Sequence, residues 1–307
     1  MFFIFKMKMS VVISHQDADG VFCTAVYLMN NDKARCYYTS PAKLLKTICY
    51  TIIKNVPEEL FIFDLSGNKK TLRAASVYDR VTWIDHHEWS EVEVPENIKV
   101  IIDSSAKSAA MLVGEYFDTK PEWLKLSEEI DTNNVITREA EELRGIITML
   151  KRKNRNEALS KELYFLSKGL ATQGLDILFA SKYRSMLREY EAWKEELKER
   201  ILPEIFNIED KKIAVIEEKE FLPVYIVYNE LKNHEEAPFD VILCIYRNFF
   251  TKLEFRTQTN FNVLELARAY GGGGHKKASG ATIRDKISKE EILEKLSAMM
   301  KRGLAEP

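Results

Sequence analysis

The chain has 307 residues, enough for two domains of ordinary size, and 46% of them are apolar, which excludes global disorder. Lys and Arg number 45 against 47 Asp and Glu, a formal charge of −2. Such a balance excludes a protein that coats duplex DNA by charge alone, while leaving room for a local basic groove. No apolar run approaches the roughly 20 residues needed to span a bilayer, so no membrane association is expected.

In chain order, Met1-Phe2-Phe3-Ile4-Phe5 is cut off by Lys6 and Lys8 and is too short for a signal-peptide core. Ser10 to Ile13 is expected as a first strand, Gly20 to Asn30 as the helix after it, and Ala34 to Tyr38 as a second strand. Glu59 to Phe63, Arg80 to Ile84 and Lys99 to Ile102 read as three more strands, with helical patterns between them such as Asn68 to Tyr78. Short apolar strands alternating with helices imply a parallel sheet covered on both faces. Ser108 to Leu202 is nearly all helical in pattern, with Tyr183 to Arg200 as one long charged helix ended by Pro203. Beyond it, Lys212 to Ile216, Val224 to Val227, Val241 to Tyr246 and Leu253 to Thr257 read as strands. Asn262 to Tyr270 is expected as a short helix ended by Gly271 to Gly274, and Lys289 to about Lys301 as the final helix. Four cysteines, Cys23, Cys36, Cys49 and Cys244, have no CxxC spacing and read as reduced, mostly buried thiols in a cytoplasmic protein.

The chemistry-bearing residues follow the apolar runs. His15, Asp17 and Asp19 come after the first, Asp64 after Phe61-Ile62-Phe63, Asp85-His86-His87 after Val81 to Ile84, and Asp131 after Glu128-Glu129-Ile130. In parallel α/β sheets ligands bind beyond the carboxyl ends of the strands, at a topological switch point. A single Asp there is ordinarily a turn former or cap, and a lone His a satisfied surface or core residue; four such clusters together are hard to obtain by chance. They point to a two-metal site. His15, Asp17 and Asp19 alternate along a loop, so neighbours can address different ions. Asp64 is the obvious bridge between two ions about 3.5–4 Å apart. His86 and Asp131 can complete the second ion, leaving Asp85 or His87 to orient ligands or do acid work. Nitrogen and oxygen ligands without thiolate favour two Mn²⁺, with Mg²⁺ or Co²⁺ as substitutes.

These residues resemble the DHH phosphoesterases. The resemblance covers nearly the whole chain through His15-x-Asp17-x-Asp19-Gly20, Asp64, Asp85-His86-His87 and Asp131, and Gly271 to Gly280 (GGGGHKKASG) resembles the signature of the DHH-associated substrate domain. It implies an α/β chain: a parallel-sheet DHH domain at 1–182, a linker helix at 183–203, and a smaller mixed α/β substrate-binding domain at 204–307. It implies that His15, Asp17 and Asp64 hold one Mn²⁺ and that Asp19, Asp64, His86 and Asp131 hold the other. By the same resemblance Asp85 orients a ligand, and His87 faces the scissile phosphate or protonates the leaving oxygen. Arg256 grips a terminal phosphate, and His275 with the backbone of Gly272, Gly273 and Gly274 holds phosphate and nucleotide. Two segments depart from the family pattern. Glu254 and Thr257 stand near Arg256 where Ser is usual, and Thr132-Asn133-Asn134 follows Asp131 where many nanoRNases have Thr-Gly and an aromatic.

A glycine run lets a phosphate or base approach the backbone closely, and consecutive N–H groups can face an anion. One Gly would be an ordinary helix end; four followed by His275-Lys276-Lys277 fit a binding loop better. The tract from Lys151 to Arg155 reads as a solvated loop before a nucleic-acid contact, and Ser104, Ser105 and Ser108 as phosphate donors or ordinary caps. Trp83 reads as packing, and Trp89 as packing or base stacking.

The leading expectation is a Mn²⁺-dependent phosphodiesterase that removes 5′-mononucleotides from short single-stranded oligonucleotides, RNA and possibly DNA, in a cleft between two domains. At this length the chain is expected to lack the extra oligonucleotide-binding domain of bacterial RecJ. The alternatives are a phosphatase or phosphodiesterase for phosphoadenosine phosphate or cyclic dinucleotides, and a non-catalytic nucleotide sensor. The resemblance also implies a homodimer.

Overall fold

The computed structural model of the chain describes residues 10–301 apart from 32, 55–58, 221 and 248–249. The apolar Met1 to Phe5 stretch lies outside the described residues. Two compact units divide at Tyr190 and Glu191.

The first unit is built on a sheet of five parallel strands: β1 (Ser10–His15), β2 (Ala34–Thr39), β3 (Glu59–Phe63), β4 (Arg80–Asp85) and β5 (Ile98–Ile102). Their order is β2-β1-β3-β4-β5. The helices between and after them are α1 (Ala18–Asn30), α2 (Leu44–Lys54), α3 (Lys69–Ala75), α4 (Ala109–Tyr116), α5 (Lys125–Asp131), α6 (Arg138–Lys153) and α7 (Asn156–Gln173). Both faces of the strands are apolar, as burial on both sides requires. On one face Val11, Ile13, Leu60, Ile62, Val81 and Trp83 pack with Leu44 and Ile48 of α2 and Leu72 and Ala75 of α3. On the other, Phe61 and Phe63 pack against Tyr27 of α1, with ring centroids 4.8 and 6.1 Å apart. The strand order reverses at β1, whose neighbours are β2 on one side and β3 on the other. The crevice beyond the carboxyl ends of β1 and β3 is therefore the place where such a sheet opens to a ligand.

The long helix α8 (Ser181–Lys198) spans the division between the units. The second unit holds β6 (Glu204–Ile208), β7 (Lys211–Glu218), α9 (Val224–Leu231), β8 (Val241–Arg247), β9 (Thr251–Arg256), α10 (Val263–Arg268), β10 (Gly273–His275), β11 (Ala278–Ile283) and α11 (Lys289–Lys301). Its sheet runs β10-β11-β9-β8-β7-β6 and is mixed, with only β7 and β8 parallel. Val215, Leu243, Leu253 and Phe255 on one face are covered by Val263 and Leu266 of α10 and Ile292 and Leu296 of α11.

One expectation fails here. Val224 to Val227 is not a strand but the start of α9. Its β-branched residues suggest a strand, yet Pro223 opens a helix and Val224, Val227 and Leu231 are buried at helical spacing. The glycine run follows α10 as expected, and Gly273 to His275 goes on to form β10, paired antiparallel with β11.

Candidate metal centre and phosphate site

The first unit gathers all six expected ligands. Asp17 caps α1, accepting the Gly20 N–H at 3.1 Å through Oδ1, while Oδ2 lies 2.5 Å from His15 Nδ1. Gly20 is required at this turn, because a Cβ there would meet the His15 carbonyl oxygen at 2.1 Å. Asp64 follows β3 with φ +56, a left-handed conformation unusual for Asp, and its N–H bonds the Ile84 carbonyl at 3.0 Å. That backbone turn aims the carboxylate: Oδ2 lies 3.4 Å from His15 Nδ1, and Oδ1 lies 3.6 Å from His86 Nε2. The two oxygens of one carboxylate thus face two donor groups, His15 with Asp17 and His86 with Asp19 and Asp131. His86 Nε2 is also 3.8 Å from Asp19 Oδ2 and 3.5 Å from Asp131 Oδ2.

The charges and proton positions call for cations. His86 Nδ1 lies 3.2 Å from the Ala106 carbonyl, which can only accept, so the neutral ring carries its proton there and turns the lone pair of Nε2 toward three carboxylates. Burial, and the charge of His87, hold its pKa below the ordinary histidine value. Asp19 and Asp64 are buried, and their pKa values are pushed well up by burial and then by the neighbouring carboxylates. For Asp19 the N–H groups of Ala109 and Ala110, at 2.6 and 2.9 Å on the first turn of α4, oppose that rise. Burial also raises Asp17, but His15 outweighs it and holds that carboxyl below the usual range, with help from the Lys151 charge. His15 Nδ1 and Asp64 Oδ2 are buried with no partner in hydrogen-bond geometry. A divalent cation in each donor group would satisfy these atoms and neutralise the buried carboxylates, so the residues fit a pair of hard or borderline metal ions.

Asp85 lies with Asp64 and His87 in a further donor group, but both of its oxygens are already engaged by the protein. It is buried, and it accepts from the His86 N–H at 2.9 Å, His87 Nδ1 at 2.7 Å and Trp89 Nε1 at 2.6 Å. Burial raises its pKa, but these partners outweigh burial and keep it an anion. Burial lowers the pKa of His87, and the hydrogen bond and charge of Asp85 outweigh that and raise it. The sequence did not assign Trp89 a partner. Its indole holds Asp85 and its ring packs edge-on against Trp83, with centroids 5.2 Å apart. Ser108 caps α4 through the Met111 N–H. The Lys151–Arg155 tract is largely exposed, as expected, but Lys151 to Lys153 form the last turn of α6 rather than a loop, and Arg155 Nη1 donates back to the carbonyls of Arg152 at 3.2 Å and Asn154 at 2.8 Å.

In the second unit, register places Arg256 opposite Ala278, and Ala278 opposite His275. Directly opposed residues share a face, so Arg256 and His275 lie on one face, one strand apart, across the small side chain of Ala278. The next rung on that face is Glu254, Gly280 and Gly273. Glu254 Oε2 stands 3.6 Å from Arg256 Nη2 and its other oxygen pairs with Lys252. The glycines divide by physical cause. Gly271 leaves α10 with φ +71, and a Cβ on Gly272 or Gly274 would meet the Gly280 or Ala278 carbonyl oxygen at 2.1 or 2.6 Å. At Gly273 a Cβ would meet nothing within 4 Å and φ is not positive, so the chain itself does not require glycine there.

Residues 210–302 match the DHHA1 domain family. Over 311 aligned residues, 89% of this chain and 73% of the relative, the sequence is 24% identical to oligoribonuclease NrnB of Bacillus subtilis (strain 168). The chain is thus similar to the DHH phosphoesterases, and its second unit carries the DHHA1 match. Solved structures share its fold. The pGpG-specific phosphodiesterase PggH from Vibrio cholerae superposes with a TM-score of 0.60 at 17% identity, over 96% of this chain and 99% of that one. RecJ from Thermus thermophilus, in complex with Mn²⁺, gives 0.57 at 15% identity, over 96% of this chain and 52% of that one.

Among the described residues no helix is long and apolar enough to cross a membrane. All four cysteines are free thiols, Cys23 and Cys244 buried and Cys49 exposed.

Proposed function

We propose that the chain is a DHH phosphoesterase, a Mn²⁺-dependent phosphodiesterase that hydrolyses short single-stranded oligonucleotides to 5′-mononucleotides. The observation that carries the reading is Asp64, whose two oxygens face the His15 and His86 groups. Two cations held by His15, Asp17 and Asp64 and by Asp19, Asp64, His86 and Asp131 would supply positive charge to the attacking and leaving oxygens of an in-line displacement at phosphorus.

The chain's own residues do the rest. Asp85 fixes His87 with its Nδ1 proton directed at the carboxylate, and the raised pKa keeps the ring protonated further into the neutral range. A His87 so held donates a proton to the oxygen that leaves phosphorus. Arg256 and His275 share one face of the second sheet and bind the substrate's phosphate, with Gly273 leaving room for a phosphate or base at the backbone. The relatives support the substrate class: NrnB is an oligoribonuclease and PggH a pGpG-specific phosphodiesterase.

The test is a hydrolysis panel with Mn²⁺. It sets 5′-labelled RNA and DNA, from dinucleotides to long single strands, beside phosphoadenosine phosphate and cyclic di-AMP. Fast turnover of the shortest strands, abolished by the Asp85→Ala/His86→Ala double substitution, is expected. Ladders on long strands with no length preference would replace it with a RecJ-like exonuclease, and turnover of the small nucleotides alone with a signalling-nucleotide hydrolase. A chain that takes up no Mn²⁺ would support a sensor.

A further inference from the structure

Asp131 differs from the other five expected ligands, because it ends a helix, α5, and begins a loop. Its position depends on what holds residues 132–137. The loop is fastened at both ends. Glu129 accepts from the N–H groups of Ile136 and Thr137, both at 2.8 Å, and from the Thr137 hydroxyl at 3.0 Å. At the near end Asn133 adopts φ +53 and its Oδ1 accepts from Arg144 Nη1 at 2.8 Å. Arg144 is a buried cation on α6, paired through Nε, at 3.1 Å, and Nη2 with one oxygen of Glu141. The other oxygen of Glu141 accepts from the hydroxyl of the buried Tyr190 at 3.2 Å. A buried guanidinium held through two of its nitrogens by one carboxylate oxygen has little freedom; a short amide gripped by it fixes the turn two residues past Asp131.

We propose that Arg144, acting through Asn133, is a positioning residue that sets the Asp131 carboxylate against His86 and so tunes the affinity of the second cation site without altering the first. This rests on the two-cation reading above. The first group, His15, Asp17 and Asp64, lies at the ends of β1 and β3 and shares no element with the loop.

The experiment is Mn²⁺ binding to the full chain, by calorimetry and by electron paramagnetic resonance of the free ion, with thermal unfolding as the check on folding. Asn133→Gly keeps the left-handed turn and removes the acceptor; Asn133→Asp keeps the acceptor. Asn133→Gly is expected to bind one ion as the wild type does and a second about tenfold or more weakly, and Asn133→Asp to bind both with near wild-type affinity. Arg144→Lys approaches the bond from its other end, and in the double variant with Asn133→Gly the second-site loss should not add. Two ions bound by Asn133→Gly with wild-type affinities, or both weakened alike, would overturn the positioning role. A wild type that binds no Mn²⁺ would overturn the two-cation reading and this one with it.

Discussion

Replacing Asp85 by Asn tests the site at its most constrained atom group. The carboxylate receives three donors, the His86 N–H, His87 Nδ1 and Trp89 Nε1, at 2.9, 2.7 and 2.6 Å. An amide of the same shape has one acceptor oxygen. Turned toward His86 and His87, it sets its NH₂ against the Trp89 N–H; turned the other way, it leaves the His86 N–H facing a donor and invites His87 to move its proton from Nδ1 to Nε2. Either way one buried, charge-assisted hydrogen bond is lost, about 1.5–3 kcal/mol. At about 1.4 kcal/mol per decade this is a fall in kcat/KM of about 10- to 150-fold, the range expected when a group that orients a catalytic residue is removed. The pH dependence has a definite sign. Asp85 raises the His87 pKa, so its partnership stabilises the fold below the ordinary histidine value and is lost as pH rises through the raised one. Without the carboxylate, His87 loses its proton at lower pH, and the alkaline limb of the rate profile should move toward acid. The assay is kcat/KM on a short oligonucleotide across pH, with circular dichroism to verify the fold. A folded Asp85→Asn enzyme within twofold of wild type, with an unmoved alkaline limb, would refute both the orienting role of Asp85 and the proton-donating role of His87.

Other outcomes follow from the same geometry. The raised pKa values of Asp19 and Asp64 mean that the chelated protein holds extra protons when folded, so its stability should fall as pH rises above the ordinary carboxylate range. Mn²⁺ at a hundred times its Kd should add about 2.7 kcal/mol and reverse that trend, which thermal unfolding with chelator or Mn²⁺ across pH will read; identical curves would count against the cation site. Gly273→Ala should fold as wild type yet weaken substrate binding, whereas Gly272→Ala should cost about 1–3 kcal/mol of stability by overpacking against the Gly280 carbonyl; unfolding and KM measured together separate the two. Glu254→Ser frees Arg256 of a partner at 3.6 Å worth about 0.2–1 kcal/mol, and should lower KM for a phosphate-terminated substrate about 1.5- to 5-fold at unchanged kcat. A higher KM would show that Glu254 itself binds substrate.

The strands of the first sheet are readable from their apolar runs because both of their faces are buried; Glu59–Phe63 has the expected bounds, and the other four differ by a residue or two at their ends. The candidate ligands after them are readable for the same reason: a charged residue directly beyond a buried strand stands at the sheet's carboxyl edge. What the sequence conceals is contact between residues far apart in it. Nothing in the order of residues pairs the Ala106 carbonyl with His86, or Arg144 with Asn133. The strand expected at Val224 to Val227 fails because its residues suit both helix and strand, and burial at Leu231 decides between them.

The glycine run shows where reading by motif and reading by physics part. Read as a motif, four glycines before a histidine suggest one function for all of them. In the structure Gly271 ends a helix, while Gly272 and Gly274 admit the carbonyls of β11; these three are accounted for by the hairpin that carries His275. Only Gly273 has neither a crowded Cβ position nor a positive φ, and it lies on the rung that continues through Gly280 to Glu254. The hairpin thus does two separable things. It brings His275 into register with Arg256, which any sequence able to form the same close pairing would do, and it leaves open backbone beside them. The first is a matter of fold stability and the second of ligand contact, so substitutions along this run should divide between unfolding and binding rather than behave alike.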